Sequence, residues 1–196
     1  MENSVKKLAV FASGNGSNAE NLVSYFRNND CGAEVAVIVC NKPGAGVIAR
    51  AERLGVPVRV MPAAEIRDAS RMLPLMEEFG IDYIVLAGFL LMVPDFLLER
   101  YPDRVLNIHP SLLPKYGGKG MYGHHVHEAV VAAGEKETGI TVHLVTDRCD
   151  EGRIIFQARV PLSDDDTAES VEAKIHELEQ AHFPHTVREY IATTDK

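Results

Sequence analysis

Residues 107–114 read Asn-Ile-His-Pro-Ser-Leu-Leu-Pro, and Val145-Thr-Asp-Arg-Cys-Asp-Glu-Gly152 follows further along the chain. Together they supply an amide (Asn107), an imidazole (His109) and two carboxylates (Asp147 and Asp150). That set suits attack of an amine on a carbonyl. An imidazole can share or move a proton, a carboxylate can hold it charged, and an amide can bind a developing oxyanion. No Ser or Cys nucleophile stands beside His109 in a recognisable motif, so direct acyl transfer fits better than a covalent relay. On a strand, Asn107 and His109 would point to one face. A lone histidine there would ordinarily be a satisfied core residue, but two polar groups on one buried face each need a partner. Asp147 and Asp150 sit in a turn, where aspartate is common for backbone reasons alone. Asp150 gains a chemical role only if the fold carries it to His109.

The surrounding chain alternates strand and helix patterns. Leu8–Ala12 reads as a buried first strand, followed by a helix over Ala19–Phe26. Glu34–Cys40 is a second strand, with a helix over 47–54. Val58–Met61 is a third strand, and residues 64–79 form one helix. Tyr83–Ala87 is a fourth strand, apolar throughout as a strand buried on both faces would be. Pro94 opens a short helix to Arg100, and Val105–His109 is the fifth strand. A Pro/Gly-rich loop over 110–123 leads to a helix over Val126–Ala133. Its four glycines between Gly117 and Gly123 suggest a mobile lid that orders on ligand binding. Thr138–Thr146 and Ile154–Val160 form a hairpin, and Thr167–Tyr190 a terminal helix. The expected fold is α/β: a single-domain Rossmann-like, mostly parallel sheet with helices on both faces and an antiparallel C-terminal hairpin at one edge. One domain is expected to span 1–196, with its core over about 7–191.

Ser13-Gly-Asn-Gly-Ser-Asn18 lies between the first strand and first helix, where backbone N–H groups and a helix N-terminus can hold an anion. It is neither Gly-x-Gly-x-x-Gly nor a P-loop, so one phosphate monoester fits better than a dinucleotide or nucleoside triphosphate. The alternative is a tight turn with Ser17 as a helix cap. His124-His-Val-His127 looks like a metal cluster but lacks carboxylates at useful spacing apart from Glu128, and a solvated loop entering a helix is preferred. Leu162–Glu169 reads as a solvated turn and helix start, with its negative charge at a helix N-terminus. Cys149 is read as a packing residue rather than a nucleophile.

Composition narrows the partners. The chain has 196 residues, 46% hydrophobic and 24% charged, as ordinary globular proteins do. Net charge is −8 with no basic run, which argues against nucleic acid and anionic membranes. Cys31, Cys40 and Cys149 are widely spaced and offer no disulfide framework, favouring the cytoplasm. The N-terminal apolar stretch is too short for a signal peptide or a membrane span.

Five stretches carry a resemblance to a known family: Ser13–Asn18, Leu86-Ala-Gly-Phe89, Asn107–Pro114, Thr138-Gly-Ile-Thr-Val-His143 and Val145–Gly152. They resemble the phosphoribosylglycinamide formyltransferases, also called glycinamide ribonucleotide transformylases, of the folate-dependent formyltransferase family. The resemblance runs over about residues 7–191. It implies formyl transfer from 10-formyltetrahydrofolate, a co-substrate, to the amine of glycinamide ribonucleotide in purine synthesis, with no metal required. It implies Asn107, His109 and Asp150 as catalytic residues. Gly16, Ser17, Asn18 and Glu179 would hold the ribonucleotide. Arg67, Leu90, Leu91, Met92, Val93, Asn107, Thr146, Asp147, Arg148, Cys149 and Asp150 would line the folate site. Small-molecule substrates, a monomer or homodimer, and neither nucleic acid nor membrane complete the expectation. His176 and Leu91 stand where the family often carries basic residues, and the 117–124 loop is longer than the common form. Three alternatives are a formyltetrahydrofolate hydrolase, a methionyl-tRNA formyltransferase and a non-catalytic phosphate-ligand module. The first two usually carry additional domains. The third leaves Asn107, His109 and Asp150 without a purpose.

Overall fold

In the computed structural model, described over residues 5–29 and 31–194, the strands form one seven-stranded sheet of order β3-β2-β1-β4-β5-β6-β7. Met1–Ser4, part of the segment read for a signal sequence, lie outside the described residues. The chain divides into two compact units, one ending at Leu106 and the other beginning at Asn107.

The first unit is built on β1 (Lys6–Ala12), β2 (Ala33–Cys40), β3 (Val58–Val60) and β4 (Tyr83–Leu86). β1 pairs in parallel with both β2 and β4, and β2 with β3. Leu8 through Ala12 are fully buried. A strand hidden on both faces has no reason to alternate polar and apolar residues, which is why this run is continuously apolar. The helices are α1 (Ser17–Asn28), α2 (Gly46–Leu54), α3 (Ala63–Ile66), α4 (Ala69–Glu78) and α5 (Asp95–Arg100).

Three local expectations are corrected here. The single helix over 64–79 is two, because Asp68 leaves helical geometry (φ −96°, ψ 107°) and its carboxylate accepts from Ser70 N at 2.9 Å, capping α4. Pro94 is the extended residue before α5 rather than its first residue. Ser17 is the first residue of α1, and Gly16 is the cap.

The strand β5 (Val105–His109) leads into the second unit. There α6 (His124–Ala132), β6 (Glu137–Leu144), β7 (Ile154–Pro161) and α7 (Ala168–Thr194) follow. β6 and β7 are antiparallel, as the hairpin pattern predicts. α6 begins two residues earlier than expected, so His124 and His125 belong to its first turn and not to a loop. His127 is buried rather than solvated, and burial pulls its pKa below the ordinary histidine value. Among the described residues no group of three His, Cys, Asp or Glu could hold a metal ion, and no helix is long and apolar enough to cross a membrane.

Candidate active site

The buried strand β5 brings Asn107 and His109 to one face, as its period of two requires. The turn after β6 then delivers Asp150 to them. Asp150 adopts φ +57°, a left-handed conformation that Asp tolerates better than most residues. Gly152 completes the bend, since a Cβ there would collide with the Leu144 carbonyl. The result sets Asp150 Oδ2 3.6 Å from His109 Nδ1, with side-chain exposures of 10% and 5%. The same carboxylate oxygen accepts from Gly118 N at 2.8 Å. His109 Nε2 lies 2.7 Å from the Tyr116 carbonyl. A carbonyl only accepts, so Nε2 carries a proton and donates.

A fourth side chain completes the cluster, and sequence reasoning gave it no role. His143 on β6 is buried, with Nδ1 2.8 Å from the Leu144 carbonyl and Nε2 3.0 Å from Asn107 Nδ2. Nδ1 must donate to that carbonyl. Burial pushes the His143 pKa below its ordinary value, which favours the neutral ring. Its bare Nε2 then accepts from the Asn107 amide and fixes which way that amide points. Asp150 Oδ1 lies 3.7 Å from the same nitrogen. The available signal was a histidine on an otherwise buried strand, which demands a partner as Asn107 and His109 do.

The neighbouring turn residues are less engaged. Asp147, Arg148 and Cys149 are exposed and Thr146 half-buried, with Thr146 Oγ1 3.2 Å from Arg148 N. Cys149 is therefore not the packing residue expected, because the turn holds it at the surface. Partial burial and the adjacent Asp150 raise its thiol pKa, which opposes thiolate formation. Glu179 on α7 is half-buried, with His176 Nδ1 3.7 Å from its carboxylate.

In the first unit the Gly-rich turn and the Leu90–Val93 stretch meet. Ser13 Oγ donates to Asn41 Oδ1 at 2.6 Å and accepts from Leu90 N at 2.9 Å. Ser13 N also donates to Gly88 O at 3.0 Å. Gly16 adopts φ +83°, and a Cβ there would lie 2.6 Å from Val47 Cβ, so the turn can close onto α2 only with glycine. Ser17 and Asn18 then open α1, and Glu20 N donates to the Gly16 carbonyl at 2.9 Å to close its first turn. Glu20 in that turn is held by Arg53 and Arg50, which lower its pKa. Arg50 Nε also donates to the Asn15 carbonyl at 2.8 Å. Leu90 and Met92 are exposed, Leu91 is half-buried and Val93 is buried. Arg67 is exposed at the end of α3.

A mostly parallel α/β sheet whose fifth strand carries Asn-x-His, with a carboxylate at 3.6 Å, has the parts of a direct acyl-transfer catalyst. Residues 6–187 match the formyl transferase family, and the chain belongs to it. Phosphoribosylglycinamide formyltransferase of Bacillus subtilis is 36% identical, covering 98% of each chain. The chloroplastic enzymes of Arabidopsis thaliana and Vigna unguiculata are both 38% identical over 87% of this chain, which spans 60% and 56% of their lengths. Among solved structures, phosphoribosylglycinamide formyltransferase of Bacillus halodurans superposes with a TM-score of 0.86 at 34% identity, covering 96% of this chain and 97% of that one.

Proposed function

We propose that the chain transfers the formyl group of 10-formyltetrahydrofolate to the amine of glycinamide ribonucleotide. The observation that carries this reading is the convergence of Asn107, His109 and Asp150 in a chain similar to enzymes of that name. The amine nitrogen attacks the formyl carbon and the carbonyl π electrons move to oxygen. With one Asn107 amide N–H held by His143, the other is available to the oxyanion. The His109 imidazolium is the second donor, and Asp150 compensates its charge. Collapse reforms the C=O bond and breaks the bond to N10, while the proton leaving the amine ends on N10. Gly16, Ser17 and Asn18 take the phosphate at the α1 N-terminus, and Glu179 meets the ribonucleotide. The folate is received by Leu90, Leu91, Met92 and Val93, by the Thr146–Asp150 turn, and by Arg67 toward its tail. A cytoplasmic setting suits the three free cysteines.

The test is to mix the protein with 10-formyltetrahydrofolate and follow tetrahydrofolate release with and without glycinamide ribonucleotide. Release that depends on the ribonucleotide, with formylated product, is expected. Equal release without it would make the chain a hydrolase.

A further inference from the structure

Both ring nitrogens of His109 already face protein groups. Nδ1 is turned toward Asp150 at 3.6 Å, and Nε2–H donates to the Tyr116 carbonyl at 2.7 Å. If His109 is to donate to an oxyanion while Asp150 balances its charge, only Nε2–H is left to do so. The Tyr116 carbonyl sits in the place the reacting oxygen must take. We propose that this carbonyl is a built-in competitor for the His109 donor, latched in place by Glu135 and exchanged for the formyl oxygen when substrate binds. The inference rests on the catalytic role given to His109 above.

The latch is visible in the contacts of the loop. Glu135 Oε1 accepts from Tyr116 Oη at 3.0 Å and from Lys115 Nζ at 2.8 Å. Ser111 Oγ donates to the Lys115 carbonyl at 2.7 Å, closing the turn from below. Tyr116 is held at φ +56°, a region bulky residues rarely occupy, so the conformation persists only because its neighbours impose it. The same loop grips the other half of the pair, because Gly118 N donates to Asp150. It also rides close on that carboxylate. A Cβ on Gly117 would lie 3.3 Å from Asp150 Cβ and 2.5 Å from Leu113 Cδ2. Beside the loop is a cleft of about 220 Å³, lined by Leu113, Lys115, Tyr116, Glu135 and Gln157 among others, which gives the backbone room to withdraw. Backbone strain at Tyr116 favours release, and the Glu135 contacts oppose it.

A latched state taxes apparent affinity by the fraction of molecules that are competent. Tyr116→Phe keeps the carbonyl and removes only the hydroxyl bond to Glu135, and Glu135→Ala removes both of its contacts. Each variant should raise kcat/KM for 10-formyltetrahydrofolate by about three- to tenfold. The double variant should gain no more than the better single one, because both act on one latch. A merely structural role for these residues predicts loss, never gain. Unchanged or reduced kcat/KM in both variants, with melting temperatures near wild type, overturns the proposal. His109→Ala separates this failure from failure of the site reading. If His109→Ala is inactive and neither latch variant gains, only the latch is wrong. If His109→Ala turns over normally, the catalytic assignment falls and the latch with it.

Discussion

Replacing Asp150 by Asn tests the charge pairing at the centre of the site. Asn preserves the size of the side chain, tolerates the left-handed backbone at φ +57°, and keeps an oxygen for Gly118 N. What it removes is a negative charge 3.6 Å from His109 Nδ1, between side chains that are 10% and 5% exposed. Coulomb's law at that separation gives about 4–5 kcal/mol with an effective dielectric of about 20. Part of this is offset by the cost of desolvating the carboxylate and by the dipole the amide retains. A net loss of about 3 kcal/mol in transition-state stabilisation is expected, or roughly a hundredfold in kcat. The steady-state assay with both substrates saturating reads this directly, and circular dichroism checks the fold. Asp147→Asn is the internal control, since Asp147 is exposed in the same turn and should stay within about twofold. If Asp150→Asn keeps kcat within about threefold of wild type, the pairing contributes less than about 1 kcal/mol and the reasoning fails. If Asp147→Asn is the more damaged variant, the wrong carboxylate has been assigned.

Asn107→Ala should lower kcat by about two to three orders of magnitude with little change in KM, because its amide is proposed to meet charge that develops only in the transition state. Poor binding with normal turnover would contradict it. The dephosphorylated riboside of the acceptor should be a far poorer substrate, since the α1 N-terminus is assigned to its phosphate, and equal kcat/KM for both acceptors removes that assignment. Gly16→Ala should lower stability by about 1–3 kcal/mol through its positive φ and its clash with Val47. Adding Val47→Ala should recover little, because the conformational cost remains and a buried side chain is lost; this is measured by urea denaturation. Asp166 is held well below the carboxylate range by Lys174, then by Ser170 and the Ser163 N–H. A depressed folded-state pKa stabilises above the unfolded value of about 3.9 and is lost as pH falls through the folded one. The melting-temperature deficit of Asp166→Asn should therefore be full at pH 7 and shrink below about pH 4. A deficit independent of pH would show that the carboxylate charge is not what stabilises this turn.

Asn107 and His109 were legible in the sequence because a strand's period of two places both on one face whatever the rest of the chain does. The apolar runs at Leu8–Ala12 and Tyr83–Leu86 were legible as strands for a similarly local reason: a segment buried on both faces cannot carry polar residues. The turn at Gly16 could be recognised from its glycines, although its neighbour Val47, which makes glycine necessary, could not. Asp68 shows the limit even of local patterning. Apolar spacing continues across it, and its capping bond to Ser70 nonetheless splits one expected helix into two. Tertiary structure alone decided that Asp150, not Asp147, reaches His109. That choice depends on a left-handed backbone at Asp150 and on the bend that Gly152 permits against Leu144. It alone made His143 the acceptor that orients Asn107, because residues 36 apart in the chain share an environment only after two strands have formed. The Tyr116 carbonyl and the Gly118 N–H were beyond the reach of sequence for a deeper reason. Every residue except proline carries that same pair of backbone groups, so only the path of the folded chain determines which of them meet His109 and Asp150.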